Sequence, residues 1–333
     1  MSIPDRLAIS DDELRPYGPT ATLGQRAAAL LAQQRDSWEL ARKGYGGLDA
    51  VQVRAFRLDG YPFLLQHNPA RMTSSTARVD DASIRNRRCF LCSAHLPEGQ
   101  RALPVEGDWL LLVNPFPIFP SHFTVANAAH VPQRIVGNLG PMLRIIRSLG
   151  PEYTLFYNGP RSGASAPDHM HFQVGSRGFM PIDQAAPSLI QRHGRALSGG
   201  GPVHQHVVVG LLRPFAAFES RDLGALVEAI ERLIARLPRE DASPEEPMLN
   251  LIVRWEEGWR VLLYPRVRHR PAFFFAEDPD KILISPAAVD MGGVSIAPRH
   301  EDFVKISGDL LERMFREVCP DASVFDSVAD QRL

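Results

Sequence analysis

The stretch that decides the reading is Tyr157 to Gly175, YNGPRSGASAPDHMHFQVG. His169, His171 and Gln173 stand two apart, and on a strand such residues project from one face. Met170, Phe172 and Val174 then face the other way, into a core. Just upstream, Gly159 to Pro167 is a loop of small residues that includes Ser162, Gly163 and Ser165. Such a loop brings backbone N–H groups close to an anion. Imidazoles beside an anion-binding loop point to phosphate chemistry with histidine as nucleophile.

The chain around this stretch is long enough for one large or two modest domains, at 333 residues. Its 37 Lys and Arg balance 38 Asp and Glu, for a net charge of −1. That balance argues against a nucleic-acid surface driven by net charge. A hydrophobic content of 44% is that of an ordinary globular protein. No apolar run is long enough to span a bilayer, and the acidic start MSIPDRLAISDDELRP lacks the apolar core of a signal peptide. Three cysteines make no disulfide framework, so a soluble cytoplasmic protein is expected.

Asn158-Gly159 … Ser165 … His169-Met170-His171-Phe172-Gln173 resembles the His-x-His-x-Gln motif of the nucleotide-transferring branch of the histidine-triad-like superfamily. That branch includes galactose-1-phosphate uridylyltransferase, diadenosine tetraphosphate phosphorylase and GDP-galactose phosphorylase, and HMHFQ is most similar to the last. The resemblance implies that His171 attacks an α-phosphorus to give a covalent nucleotidyl-histidine, with Gln173 and Ser165 in the catalytic set. It implies a nucleotide sugar or dinucleoside polyphosphate as substrate and a phosphate-bearing acceptor, and relatives often pair as homodimers. Two departures stand out. Ser165 precedes His169 by four residues where the uridylyltransferase pattern has three, and Asp168 stands where relatives carry Pro or Asn. A nucleotide hydrolase using the same histidine and a non-catalytic, zinc-stabilised nucleotide-binding protein are the competing readings.

Cys89-Phe-Leu-Cys92 offers two thiolates at the bite of a tetrahedral zinc, although such a pair also suits redox chemistry. The uridylyltransferase resemblance completes the set as Cys89, Cys92, His130 and His169, with His122 and His95 as rival third ligands. Zinc is expected, structural because all four ligands come from protein; iron also suits such donors. By the same resemblance, Asn158 and Gly159 brace the phosphate loop, and Gly163, Arg161 and Arg71 (in His67-Asn-Pro-Ala-Arg71) meet phosphates. Asn114 and Phe116, in Asn114-Pro-Phe-Pro, wall the base and ribose pocket.

Periodicity predicts an N-terminal arm and helix over 1–48, with one helix from Thr22 to Arg42. A catalytic half follows over 49–182. It contains a hairpin turning at Asp59-Gly60, a surface loop over 72–88 placed to fold over the site, core strands at 109–113, 122–126 and 153–157, and a helix over 132–149. Residues 183–202 read as a connector. Over 203–333 a second, degenerate half is expected, with strands at 203–212, 248–254, 259–264, 281–285 and 292–296 and helices at 222–237 and 301–318. His204 and His206 share a strand face and read as a second-metal or surface pair. The fold class is α+β: two duplicated histidine-triad-like halves, mainly antiparallel sheets with packed helices.

Overall fold

The strands at 109–113 and 153–158 are buried at every position and those at 122–127 and 171–176 at most positions, so they lie side by side at the centre of a sheet covered on both faces. A computed structural model describes residues 4–72, 81–197, 201–239 and 246–325. The strands, in chain order, are β1 (Gln52–Leu58), β2 (Tyr61–His67), β3 (Ala102–Val105), β4 (Trp109–Val113), β5 (His122–Asn127), β6 (Tyr153–Asn158), β7 (His171–Ser176), β8 (Gly194–Ala196), β9 (Val203–Val208), β10 (Phe215–Ser220), β11 (Leu249–Trp255), β12 (Trp259–Pro265) and β13 (Val294–Ala297). Ten of them make one sheet in the order β3-β4-β5-β7-β6-β11-β12-β10-β9-β8. Every pairing in it is antiparallel.

The order is a duplication. β4-β5-β7-β6, with helix Leu139–Leu149 between β5 and β6, is repeated outward from the centre as β9-β10-β12-β11, with helix Leu223–Arg236 between β10 and β11. The repeats meet where β6 pairs with β11, Phe156 opposite Ile252 and Asn158 opposite Asn250. Phe156 lies opposite Gln173, and Ile252 lies opposite Leu262. β12, which takes the place of β7 in the second half, carries no histidine. The second half keeps the frame without the histidine chemistry.

One face of the sheet packs on the helices at 23–37, 39–46, 139–149 and 223–236 through a core that includes Trp109, Phe172 and Trp259. The other face packs on helices Ile182–His193 and Gly308–Val318 and on the small sheet β1-β2-β13, in which β13 runs parallel to β2. The β1–β2 turn places Asp59 (φ 54°) and Gly60 (φ 78°) in the left-handed region, as an Asp-Gly hairpin requires. Asp59 also accepts from Leu212 N–H (2.6 Å) and from the buried Arg213 guanidinium (3.0 Å), joining the small sheet to the second half.

Several expected elements differ in extent. The helix over 22–42 breaks at Trp38, whose extended backbone (φ −115°, ψ 108°) seats its ring against Gly99. The helix read from 132 starts at Leu139, because Gly137 (φ 83°) precedes it in a conformation helices exclude. The arm is packed: Leu7 and Leu14 are fully buried, and Ala8 bridges to Ala102. Residues 281–285 join no sheet, and the closing helix is two, His300–Lys305 and Gly308–Val318. The stretch read as a connector holds a twelve-residue helix, Ile182–His193. Of the loop expected to cover the site, residues 73–80 lie outside the described residues. So do 198–200, at the glycine-rich end of the stretch read as a connector, and 240–245, in the polar loop after helix Leu223–Arg236.

Candidate active site

β7 begins at His171, so His171 and Gln173 share a strand face, while His169 stands in the turn just before it. His171 is 4% exposed and lines a cleft of about 460 Å³. Its Nδ1 lies 2.8 Å from the carbonyl of His169. A carbonyl only accepts, so Nδ1 carries the proton and Nε2 keeps its lone pair. Burial pushes the imidazole down to about 4, which holds the ring neutral. The backbone of His171 is clamped by the buried Gln133. Gln133 Oε1 accepts from His171 N–H (2.8 Å), and its Nε2 donates to the carbonyls of His171 (3.0 Å) and Asn158 (2.9 Å).

Gln173 is oriented from behind. His122 Nδ1 accepts from Ile118 N–H (3.3 Å), so His122 Nε2 carries the proton and donates to Gln173 Oε1 (3.0 Å). With its oxygen so used, Gln173 turns its amide N–H groups to the cleft. His122, fully buried and pushed down to about 3 by burial and then by Arg71, is a neutral orienting group rather than a metal ligand.

The small-residue loop places Gly163, Ala164 and Ser165 on the cleft wall. Gly163 has φ 102°, and a Cβ there would stand 2.6 Å from the Ala287 Cβ, so only glycine fits. Ser162 and Ala164 N–H groups turn back onto the Gly159 carbonyl, closing the loop on itself (2.9 and 3.4 Å). Gly159 and Arg161 are off the wall. Gly159 packs on the Leu249 carbonyl, to which its N–H donates (3.1 Å).

Asn158 lines the cleft and is fixed by the second half of the chain. Its Oδ1 accepts from Ala288 N–H (2.8 Å) and from Asn250 Nδ2 (3.0 Å), which also donates to the Ser162 carbonyl (2.7 Å). Asn250 is held in turn by the buried Arg266, 2.8 Å from its Oδ1. Asn250, Arg266 and Gln133 are site-building residues that the sequence reading did not single out.

Across the cleft mouth Asn114 accepts from Phe116 N–H (3.0 Å), and Phe116 is 38% exposed on the wall. Arg71 also lines the cleft and donates to the Phe116 carbonyl (2.7 Å). Among the described residues, Asp290 is the one carboxylate on the wall. Burial pushes it up to about 6, and it accepts from Ser295 Oγ and from Ala287 N–H. Two arginines, Arg71 and Arg270, against this satisfied carboxyl favour anions.

Cys89, Cys92, His130 and His169 come together with all ligand atoms within 4.8 Å of one another, a group that could hold a metal ion. Cys89 Sγ to His169 Nδ1 is 3.3 Å, Cys92 Sγ to His130 Nδ1 is 3.2 Å and Cys92 Sγ to His169 Nδ1 is 3.6 Å. Tetrahedral metal bonds of about 2.0–2.3 Å put ligand atoms roughly 3.5 Å apart, so the donor set fits. His169 Nε2 donates to the Asn127 carbonyl (2.8 Å), which leaves Nδ1 as the ligand atom. His95 faces the Cys89 carbonyl instead (2.9 Å). Asp168, the departure beside His169, pairs with Arg87 and stands 3.9 Å from His130, off the cleft wall. His204 and His206 lie on β9, and among the described residues no group of three metal-ligating side chains includes them.

No helix among the described residues is long and apolar enough to cross a membrane. Residues 30–176 match a family model described as a domain of unknown function (DUF4922), and residues 208–332 match one described as GDPGP1-like, C-terminal domain. No curated protein matches the chain. Among solved structures, yeast Ap4A phosphorylase superimposes with a TM-score of 0.54 at 15% identity, over 88% of this chain and 96% of that one. Its complex with AMP gives 0.56 and its complex with Ap4A 0.54, each at 17% identity over 88% of this chain and 98% of that one. Likeness at this identity shows a shared fold. The chain thus shares the fold of yeast Ap4A phosphorylase, and its second half matches the GDPGP1-like C-terminal domain.

Proposed function

We propose that this protein is a nucleotidyltransferase or nucleotide phosphorylase acting on a nucleotide sugar or dinucleoside polyphosphate through a covalent nucleotidyl-His171. The observation that carries the reading is the His171 ring: buried on the cleft wall, with Nδ1 held by the His169 carbonyl. The lone pair of Nε2 attacks the α-phosphorus as the P–O bond to the leaving phosphate breaks. The proton stays on Nδ1, where the His169 carbonyl stabilises the imidazolium that forms. An oxygen of the acceptor phosphate then attacks the same phosphorus, the P–N bond breaks, and the neutral ring returns.

In this reading Gln173 donates to the equatorial oxygens, with Ser165 and the Gly163 turn beside them. Arg71, and Arg161 from behind the loop, hold the polyphosphate electrostatically, while Asn158 and Gly159 keep the loop in place. Asn114 and Phe116 wall the base and ribose. The Cys89, Cys92, His130 and His169 set suits zinc, which with four protein ligands is structural and fixes His169, whose carbonyl aims His171. Thiols kept reduced suit the cytoplasm, where we place the reaction. The reading includes a homodimer and no nucleic-acid partner. Yeast Ap4A phosphorylase, whose structures hold AMP and Ap4A, supports the substrate class through the shared fold. Its test is turnover of Ap4A and GDP-hexoses with inorganic phosphate. Wild type should release a nucleoside diphosphate and His171→Ala should not; equal turnover by the two proteins would remove His171 from the chemistry.

A further inference from the structure

A second concave site lies on the outer half of the large sheet and shares no lining residue with the cleft. Arg254 on β11 stands opposite Arg260 on β12, Arg260 opposite Glu219 on β10, and Glu219 opposite His204 on β9. Two residues along their strands from Arg254, Arg260 and Glu219 are Ile252, Leu262 and Ala217, all in the core beneath the small sheet, and Val208, four along from His204, joins them. Strand alternation therefore turns the four polar residues to that same face as one row. With Glu256 and Glu257 from the β11–β12 turn they line a groove of about 570 Å³. That is room for a small molecule, but the wall is charged where such sites are ordinarily apolar.

The row is costly as it stands. Like charges directly opposite across a strand pair repel, and Arg254 and Arg260 are such a pair. Arg254 is 7% exposed, yet of its five N–H donors one makes a full hydrogen bond, from Nη1 to the Asp183 carbonyl (2.8 Å). Its Nη2 stands 3.5 Å from Glu256, a carboxylate already held by Arg177 (3.0 Å), and its buried Nε has no partner among the described residues. Arg260 spends Nε on Glu219 (2.7 Å), and its two terminal nitrogens have no hydrogen-bond partner among the described residues. Burial, and then Arg177 and Arg260, pull Arg254 below the usual guanidinium range against the pull of Asp183 and Glu256. A buried cation short of acceptors is stabilised by an anion that supplies them.

The chemistry of the wall narrows that anion. A carboxylate spends both oxygens on one guanidinium fork, whereas the three terminal oxygens of a phosphate reach two forks on neighbouring strands. Glu219, Glu256 and Glu257 repel further negative charge, which disfavours a polyphosphate, and they accept hydrogen bonds from hydroxyl groups. We infer that this groove is a second ligand site, which binds a small polyol carrying one phosphate: Arg254 and Arg260 take the phosphate, and Glu256, Glu257 and His204 accept from the hydroxyls. It does not depend on the chemistry assigned to His171.

The test is calorimetric titration of the full chain with glycerol 3-phosphate and glucose 6-phosphate, and with glycerol and inorganic phosphate as controls. Wild type should bind a phosphate ester, bind inorganic phosphate more weakly and not bind glycerol. Arg260→Gln should weaken the ester at least tenfold, the range of a charge-assisted pair, and so should Arg254→Lys, which keeps the charge and loses the fork. His171→Ala, in the cleft, should bind it as wild type does. Should Arg254→Lys melt early, Arg260→Gln decides the matter, because that side chain is 27% exposed. Wild type that binds neither ester, or an Arg260→Gln variant that keeps full affinity, would overturn the site. Binding lost in His171→Ala would place the ester in the cleft and overturn it equally. Inorganic phosphate held as tightly as the esters would overturn the part given to the carboxylates and His204.

Discussion

Replacing Gln133 by Met tests whether the His171 backbone is held as described. Gln133 is 3% exposed and makes three hydrogen bonds, one from His171 N–H and one to each of the carbonyls of His171 and Asn158. These bonds join the end of β6 to the start of β7, the two ends of the phosphate loop. Methionine has nearly the same length and volume, so packing changes little while all three bonds go. A buried polar group left without its partner costs about 1–3 kcal/mol. Three groups, each at the low end because neighbouring segments relax, give roughly 3 kcal/mol. At about 2 °C per kcal/mol in a chain of this size, Tm should fall by about 6 °C. Turnover should fall further than stability requires, because the ring of His171 moves with its backbone; a loss of about a hundredfold is expected for a slight misplacement of the nucleophile. The assays are a thermal melt and kcat for nucleotide phosphorolysis, both well below the new Tm. A variant that melts within 1 °C of wild type and keeps its kcat would show that the clamp holds nothing.

Other expectations follow from the same geometry. Glu246 accepts from Ile135 N–H (2.6 Å) and Tyr157 O–H (2.7 Å), and burial pushes it from 4.5 up to about 7. The unfolded chain releases this proton near pH 4.5 while the folded chain keeps it, so stability declines as pH rises from about 4.5 to about 7, by on the order of 3 kcal/mol. Glu246→Gln should flatten that part of the profile in denaturant melts, and an unchanged difference between pH 4.5 and pH 7.5 would refute it. Gly163→Ala combines a left-handed φ with a clash against Ala287 and should weaken nucleotide binding at least tenfold with only a modest loss of Tm; undiminished affinity would show that the loop is not at the phosphate. Purified protein should carry one zinc per chain by elemental analysis, and Cys89→Ser should lose it and melt several degrees lower. Metal-free wild type would contradict the four-ligand site.

His171 and Gln173 on the cleft wall and the two thiols of the four-residue cluster were legible because their signals are local. Alternation puts His171 and Gln173 on one face, and two thiols three apart make a metal bite. The Asp59-Gly60 turn and the strands at 109–113, 122–127 and 249–265 were readable for the same reason. What stayed hidden depends on contacts between distant parts of the chain. Nothing local to Asn250 says that it reaches Asn158, 92 residues away, or that Arg266 holds it there. Residues 281–285 look like a strand because Ile282 and Ile284 are apolar, yet they join no sheet among the described residues, and Ser285 lines the cleft. The break at Trp38 likewise answers to a distant neighbour, Gly99. The partner of Asp168, Arg87, is likewise far from it in sequence.

The central claim is that one imidazole becomes covalently nucleotidylated. Intact-mass spectrometry of the full chain, incubated with Ap4A or a GDP-hexose and no acceptor, measures this directly. The account predicts a gain equal to one nucleoside monophosphate less water, mapped to the peptide that holds His171, discharged by added phosphate and absent in His171→Ala. An adduct on another residue, or one that persists in His171→Ala, would contradict it, as would turnover of the substrate with no adduct and with hydrolysis products alone.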